Sequence, residues 1–157
     1  MSTLHFASAL LPSGWTGDVQ VVVTDGSISK VTIGTAPGTG DERHLLAIPG
    51  IASLHSHAFQ RGMAGLAETR GNTADTFWTW RETMYRFALE MTPEDAEALA
   101  TLLYVEMLEQ GYTRVGEFHY LGAAEAFAAA HAAADAGIAI VVLHVAYERG
   151  GLERMRQ

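Results

Sequence analysis

From Leu45 onward the sequence alternates apolar runs of strand length with capped stretches of helix length, in the order strand, helix, strand, helix, strand. A chain that leaves a strand, forms a helix and then forms another strand re-enters the sheet from the same end. Such strands pair in parallel through right-handed crossovers, so the order predicts an α/β unit. Both a doubly wound sheet and a (β/α)8 barrel satisfy it, and the alternation alone does not choose between them. The first run goes from Leu45 through Pro49-Gly50 to Leu54 and ends on His55-Ser56-His57. Thr92 is an N-cap followed by Pro93 at the first helical position and Asp95 at the third. It opens a helix whose apolar stripe is Ala96, Leu99, Leu103 and Met107, and Gly111 stops it. Tyr112 to Tyr120 reads as the second strand, Gly122 to Asp135 as a helix ended at Gly137, and the β-branched Ile138 to Val145 as the third strand.

Ahead of this unit, Val19, Val21 and Val23 alternate, Asp25-Gly26 follows, and Ile28, Val31 and Ile33 come next, which predicts a hairpin around a tight turn. Glycines and a proline crowd residues 34–42, so the boundary is placed near residue 44, with a small β element at 1–44 and the α/β unit at 45–157. A hydrophobic fraction of 48% with 18% charged residues is that of a globular chain. The net charge of -8 argues against a nucleic-acid partner, which needs a clustered basic face. No apolar run reaches the roughly eighteen residues of a membrane span, and Met1 to Trp15 lacks the basic start and cleavage site of a signal peptide. Without cysteine there is neither a disulfide framework nor a thiolate metal site, so a metal would be held by histidines and carboxylates. A small-molecule partner and a cytoplasmic location are the expectations, and a homodimer stays open.

His55 and His57 stand two apart at the end of a strand, so their side chains share a face and can reach one cation. In α/β barrels the C-terminal end of the strands is where active sites are built. Spacing alone is weak, since seven scattered histidines would give such a pair in roughly a third of chains this long.

The run Ile48 to His57 resembles the first barrel strand of the amidohydrolase superfamily. Three further blocks, His55-Ser56-His57-Ala58-Phe59-Gln60-Arg61-Gly62-Met63-Ala64-Gly65, Phe77-Trp78-Thr79-Trp80-Arg81 through Phe87, and Glu117-Phe118-His119-Tyr120, are similar to the formimidoylglutamate deiminase family, closely to about residue 121 and more loosely to Gly151. The resemblance implies a partial (β/α)8 barrel, with its first three strands and two helices, behind an N-terminal element that in the family is part of a β-sandwich. It implies that His55 and His57 ligate a metal, zinc or another divalent ion such as ferrous iron. It implies that Gln60, Arg81 and Tyr120 bind substrate and that the parent protein deaminates N-formimidoyl-L-glutamate in histidine degradation. Arg81 suits a dicarboxylate, because a planar guanidinium grips a carboxylate bidentately; the bland alternative is a surface arginine beside Trp80.

The chain departs from the family at Leu121-Gly122-Ala123, which replaces a longer, histidine-rich loop, and His131 and His144 read as packing or surface residues. It contains no His-x-x-Glu element, and the catalytic residues that the family places on later strands are expected outside it. Too few residues follow the boundary to close a barrel, so the chain is read as a fragment, inactive by itself. The rival readings are another amidohydrolase deaminase, acting on heterocyclic or guanidino substrates, and a truncated chain whose open barrel edge serves assembly without catalysis.

Overall fold

The computed structural model describes residues 1–67 and 76–145. The chain divides into two units, Met1–Pro49 and Gly50–Gln157. Residues 68–75 of the long stretch after His57, and the looser part of the family likeness beyond residue 145, lie outside the described residues.

The first unit is a four-stranded sheet in the order β3-β2-β1-β4. Strands β1 (Ser2–Leu11) and β2 (Gly14–Thr24) pair antiparallel, as do β2 and β3 (Ser27–Ile33). The turn between β2 and β3 is Asp25-Gly26, with φ of 51° and 75°. Two positive φ values in succession match the twist of a hairpin, which is the turn expected of Asp-Gly. Strand β4 (Glu42–Ala47) runs parallel to β1. The loop before β4 is tied by Asp41, whose Oδ2 accepts from Gln20 Nε2 and from Gly38 N, each at 2.8 Å.

The position expected for the boundary, residue 44, falls inside β4, because the apolar run Leu45 to Leu54 is two strands rather than one. Pro49 has no N–H to give to a ladder, and the chain leaves the first sheet there.

The second unit holds a parallel three-stranded sheet, β5-β6-β7, formed by Ile51–Ser56, Tyr112–His119 and Ala139–His144. Each strand lies beside its predecessor, the order in which a (β/α)8 barrel is built. Helix α2 (Pro93–Glu109) begins at the expected N-cap Thr92, which forms a reciprocal capping box with Asp95, and α3 (Ala123–Ala136) ends at Gly137 in the left-handed conformation, φ 86°. Small side chains let these helices lie close to each other and to the sheet: Ala100, Ala132 and Ala133 pack with Tyr104, Val115 and Ile138. No described helix is long and apolar enough to cross a membrane.

The stretch from Ala58 to Met91, between the first strand and the helix opened by Thr92, carries a 3-10 helix (Ala58–Met63) and a full helix, α1 (Phe77–Glu90). Thr76 and Thr79 cap α1 reciprocally, and Trp80, Met84, Ala88 and Met91 turn one side toward Phe59, Met63 and Tyr120. Among the described residues the unit therefore has three α-helices where two were expected.

Gly50 lets β5 start beside β6. A Cβ added there would stand 2.8 Å from Thr113 Cβ and closer still to its branches. Gly50→Ala should destabilise the chain by about 1–3 kcal/mol through overpacking. Urea unfolding checks this, and in the Gly50→Ala/Thr113→Ala pair the loss should fall short of the sum of the two single losses.

Candidate active site

The register of β5 against β6 sets the geometry. Ser53 stands opposite Val115 and Ser56 opposite Glu117, so three steps on β5 match two on β6. That extra residue is a β-bulge. It turns Ser56 to the helix-covered side shared by Val115 and Glu117, and sends His55 and His57 to the side of Phe118 and Tyr120. The two imidazoles then meet edge to face, with Nε2 to Nε2 at 3.2 Å. Two nitrogens bound tetrahedrally at zinc distances of about 2.0–2.1 Å would lie roughly 3.3 Å apart. His57 Nδ1 is 2.8 Å from the Phe118 carbonyl oxygen. A carbonyl only accepts, so Nδ1 carries the proton and Nε2 of neutral His57 presents a lone pair. This is the tautomer that a ligating histidine needs. Among the described residues no third histidine or acid joins the pair within reach of one ion.

Gln60, one turn into the 3-10 helix, donates from Nε2 to Tyr120 Oη at 2.8 Å, and Tyr120 Oη donates in turn to Met84 Sδ at 3.2 Å. Tyr120 also stands edge-on to His57, with ring centroids 5.3 Å apart. The structure thus brings His55, His57, Gln60 and Tyr120 together. Arg81, one turn before Met84 on α1, is engaged along its own helix: Nε donates to Tyr85 Oη at 2.7 Å, and the guanidinium lies 4.9 Å from the Tyr85 ring centroid and 5.6 Å from that of Trp78.

Behind the histidines lies Glu117, fully buried at 0% exposure, whose Oε1 accepts the Ala58 N–H at 2.6 Å. Burial pushes its carboxyl above the usual range, opposed by the neighbouring Ser56 hydroxyl, the Ala58 N–H, the Tyr104 hydroxyl and His57. The two hydroxyls lie beside the carboxylate without forming hydrogen bonds of good geometry, so its second oxygen is left without a well-formed one. Burial and this carboxylate also raise the Tyr104 hydroxyl far above its ordinary value. Sequence reasoning did not single Glu117 out, although an acid between Gly116 and Phe118 in an apolar strand is an anomaly that could have marked it. His119, on the same face of β6, is 3% exposed, with Nε2 lacking a hydrogen-bond partner and its ring 6.2 Å from that of His144 on β7.

Residues 1–45 match the family model described as formimidoylglutamate deiminase HutF, N-terminal domain. A formimidoylglutamate deiminase of Pseudomonas aeruginosa is 42% identical over 96% of this chain and 36% of its own length. The crystal structure of an amidohydrolase from Brucella melitensis superposes with a TM-score of 0.81 at 49% identity, covering 91% of this chain and 34% of that one. Atrazine chlorohydrolase from Arthrobacter aurescens, complexed with zinc, shares the fold at a TM-score of 0.74 and 17% identity, over 96% of this chain and 37% of its own. More distant in sequence coverage, a 5-methylthioadenosine/S-adenosylhomocysteine deaminase of Natronomonas pharaonis is 33% identical over 67% of this chain and 24% of its own. Fold and sequence together make this an amidohydrolase chain, its second unit part of the amidohydrolase barrel. It belongs to the formimidoylglutamate deiminase family and spans about a third of the length of the relatives it matches.

Burial pushes the His119 imidazole below its ordinary value of 6.5, and the nearby His144 adds to the effect. A histidine held neutral in the fold contributes stability that is present above that value and is lost as pH falls through its depressed folded pKa. His119→Gln should therefore lose its stability deficit relative to wild type between about pH 7.5 and about pH 5. Paired urea titrations at those two pH values check it, and a pH-independent difference would contradict it.

Proposed function

We propose that the full-length protein carrying this chain is a metal-dependent deiminase that converts N-formimidoyl-L-glutamate and water to N-formyl-L-glutamate and ammonia. The observation that carries this reading is the 42% identity to the Pseudomonas enzyme across nearly the whole chain. The 3.2 Å approach of two Nε2 atoms, one in a fixed tautomer, supports it.

His55 and His57 would hold the metal, and zinc suits two neutral imidazoles at this spacing. When bound, such an ion supplies a water acidified to near-neutral pKa and a positive centre beside the substrate. What the described residues do is bind and orient. The Phe118 carbonyl keeps the proton of His57 on Nδ1, away from the metal side. Gln60 gives its Nε2 hydrogens to Tyr120 Oη at 2.8 Å and to the weak acceptor Met84 Sδ at 3.5 Å, so its carbonyl, and the N–H held only by the thioether, are the groups it would turn to the formimidoyl group. Tyr120 donates to a thioether, a weak acceptor that a substrate oxygen replaces at small cost. Arg81 has its Nε committed to Tyr85, so its two terminal nitrogens form the fork offered to a substrate carboxylate. Proton transfer to the leaving ammonia is assigned to no described residue. The adenosine-type deaminase likeness supports the runner-up, a heterocyclic substrate, for which Arg81 would have no carboxylate to bind.

In the full-length protein, Arg81→Lys keeps the charge and loses the bidentate fork. The expected loss is about 1.5–3 kcal/mol, or about tenfold to more than a hundredfold in kcat/KM for formimidoyl-glutamate, with metal content unchanged. Steady-state kinetics with metal analysis checks this. Arg81→Met within twofold of wild type, at unchanged metal content, would remove the dicarboxylate substrate.

A further inference from the structure

We propose that Glu117 is the positioning residue of the His55–His57 pair, acting through the peptide that joins His57 to Ala58. The proposal rests on the reading of these histidines as metal ligands. His57 has φ -134° and ψ 78°, a conformation between the strand and helix wells, at the point where β5 passes into the 3-10 helix. That helix has no side-chain cap of its own at His57. Its first donor, the Ala58 N–H, is taken instead by Glu117 Oε1 from the neighbouring strand at 2.6 Å. The register places Glu117 abreast of Ser56, directly beneath the two histidines.

The next residue of β6 completes the grip, since the Phe118 carbonyl accepts a hydrogen bond from His57 Nδ1–H. Glu117 therefore fixes the backbone of His57 from one face of the sheet while Phe118 fixes its ring from the other. A buried carboxyl is an expensive way to fill a strand position that Val115, two residues earlier, fills with an apolar side chain. Its use here is explained by the turn it holds. With an apolar residue in its place, the Ala58 N–H is left buried and unpaired, His57 ψ relaxes toward the strand value, and Nε2 swings away from its partner on His55.

The test uses the full-length protein with Glu117→Leu and Glu117→Gln. Zinc affinity is read by chelator competition, and the His57 tautomer by nitrogen-15 NMR of the metal-free protein. Gln keeps an oxygen for the Ala58 N–H and should hold zinc affinity within about threefold and the Nδ1–H form intact. Leu should weaken zinc about 10- to 100-fold, the scale of losing a group that orients a ligand, and disturb the His57 signals while circular dichroism shows a folded protein. A folded Leu variant with wild-type affinity and tautomer, or a Gln variant as impaired as Leu, overturns the proposal. Should Leu fail to fold, hydrogen exchange of the Ala58 amide decides: slow exchange in both wild type and Gln supports the bond, and fast exchange in wild type refutes it. If His55→Ala leaves zinc affinity unchanged, the ligand reading fails by itself, and the metal-free tautomer measurement still judges Glu117.

Discussion

Without the bulge in β5, continuing the pairing of Ser53 with Val115 would bring His55 opposite Glu117, and both histidines would point into the helix-covered core. The added residue between Ser53 and Ser56 reverses the faces for the last part of the strand only. Ala52 and Ser53 stay in step with Arg114 and Val115, and the polar end of the strand presents two imidazoles to the open side. Every other feature of the site follows from that reversal. Ser56 comes to lie next to Glu117, the Phe118 carbonyl comes within reach of His57, and Tyr120 meets Gln60 across the strand end. Site geometry here is a property of strand pairing more than of loops.

Much of this was legible from the residues because the signals were local. The Thr92 capping box, Gly111, Gly137 and the Asp25-Gly26 turn each act within a few residues, and each is found where its chemistry places it. The parallel order of the three strands followed from the alternation of elements. What the sequence hid were pairings at a distance. Strand β1 carries no strict apolar alternation although its hairpin partner β2 follows after two residues, and β4 lies inside an apolar run that only the change of sheet divides. Helix α1 gives a weak signal because Phe, Trp, Thr and Tyr are mediocre helix formers, yet its stripe at Trp80, Met84 and Ala88 has helical spacing. Of the residues picked for the site, His55, His57, Gln60 and Tyr120 are adjacent in space. The bulge, and with it the partner that Glu117 finds, were beyond reach because both depend on which residue of β6 faces which residue of β5.

The two halves of the site are built to different tolerances. A metal ion asks for ligand nitrogens fixed to a few tenths of an ångström, and the histidines sit on a sheet whose backbone is held by ladder bonds, a buried carboxyl and a carbonyl. The substrate proposed above is flexible and acyclic, and such a molecule would ask for groups that can rearrange around it. Those on and facing α1 have that character: a thioether acceptor on Met84, an arginine stacked on Tyr85 and Trp78, and a Gln60 amide that gives a long 3.5 Å bond to the same thioether. Each of these contacts is weak enough to be exchanged for one with substrate, whereas the contacts behind His57 are buried and costly to break. Differences of substrate between related chains are therefore more easily written in α1 and the loop after Tyr120 than in β5 and β6. The short Leu121-Gly122-Ala123 entry into α3 follows directly on Tyr120, so changes of its length would reach Tyr120 before they reached the histidine pair.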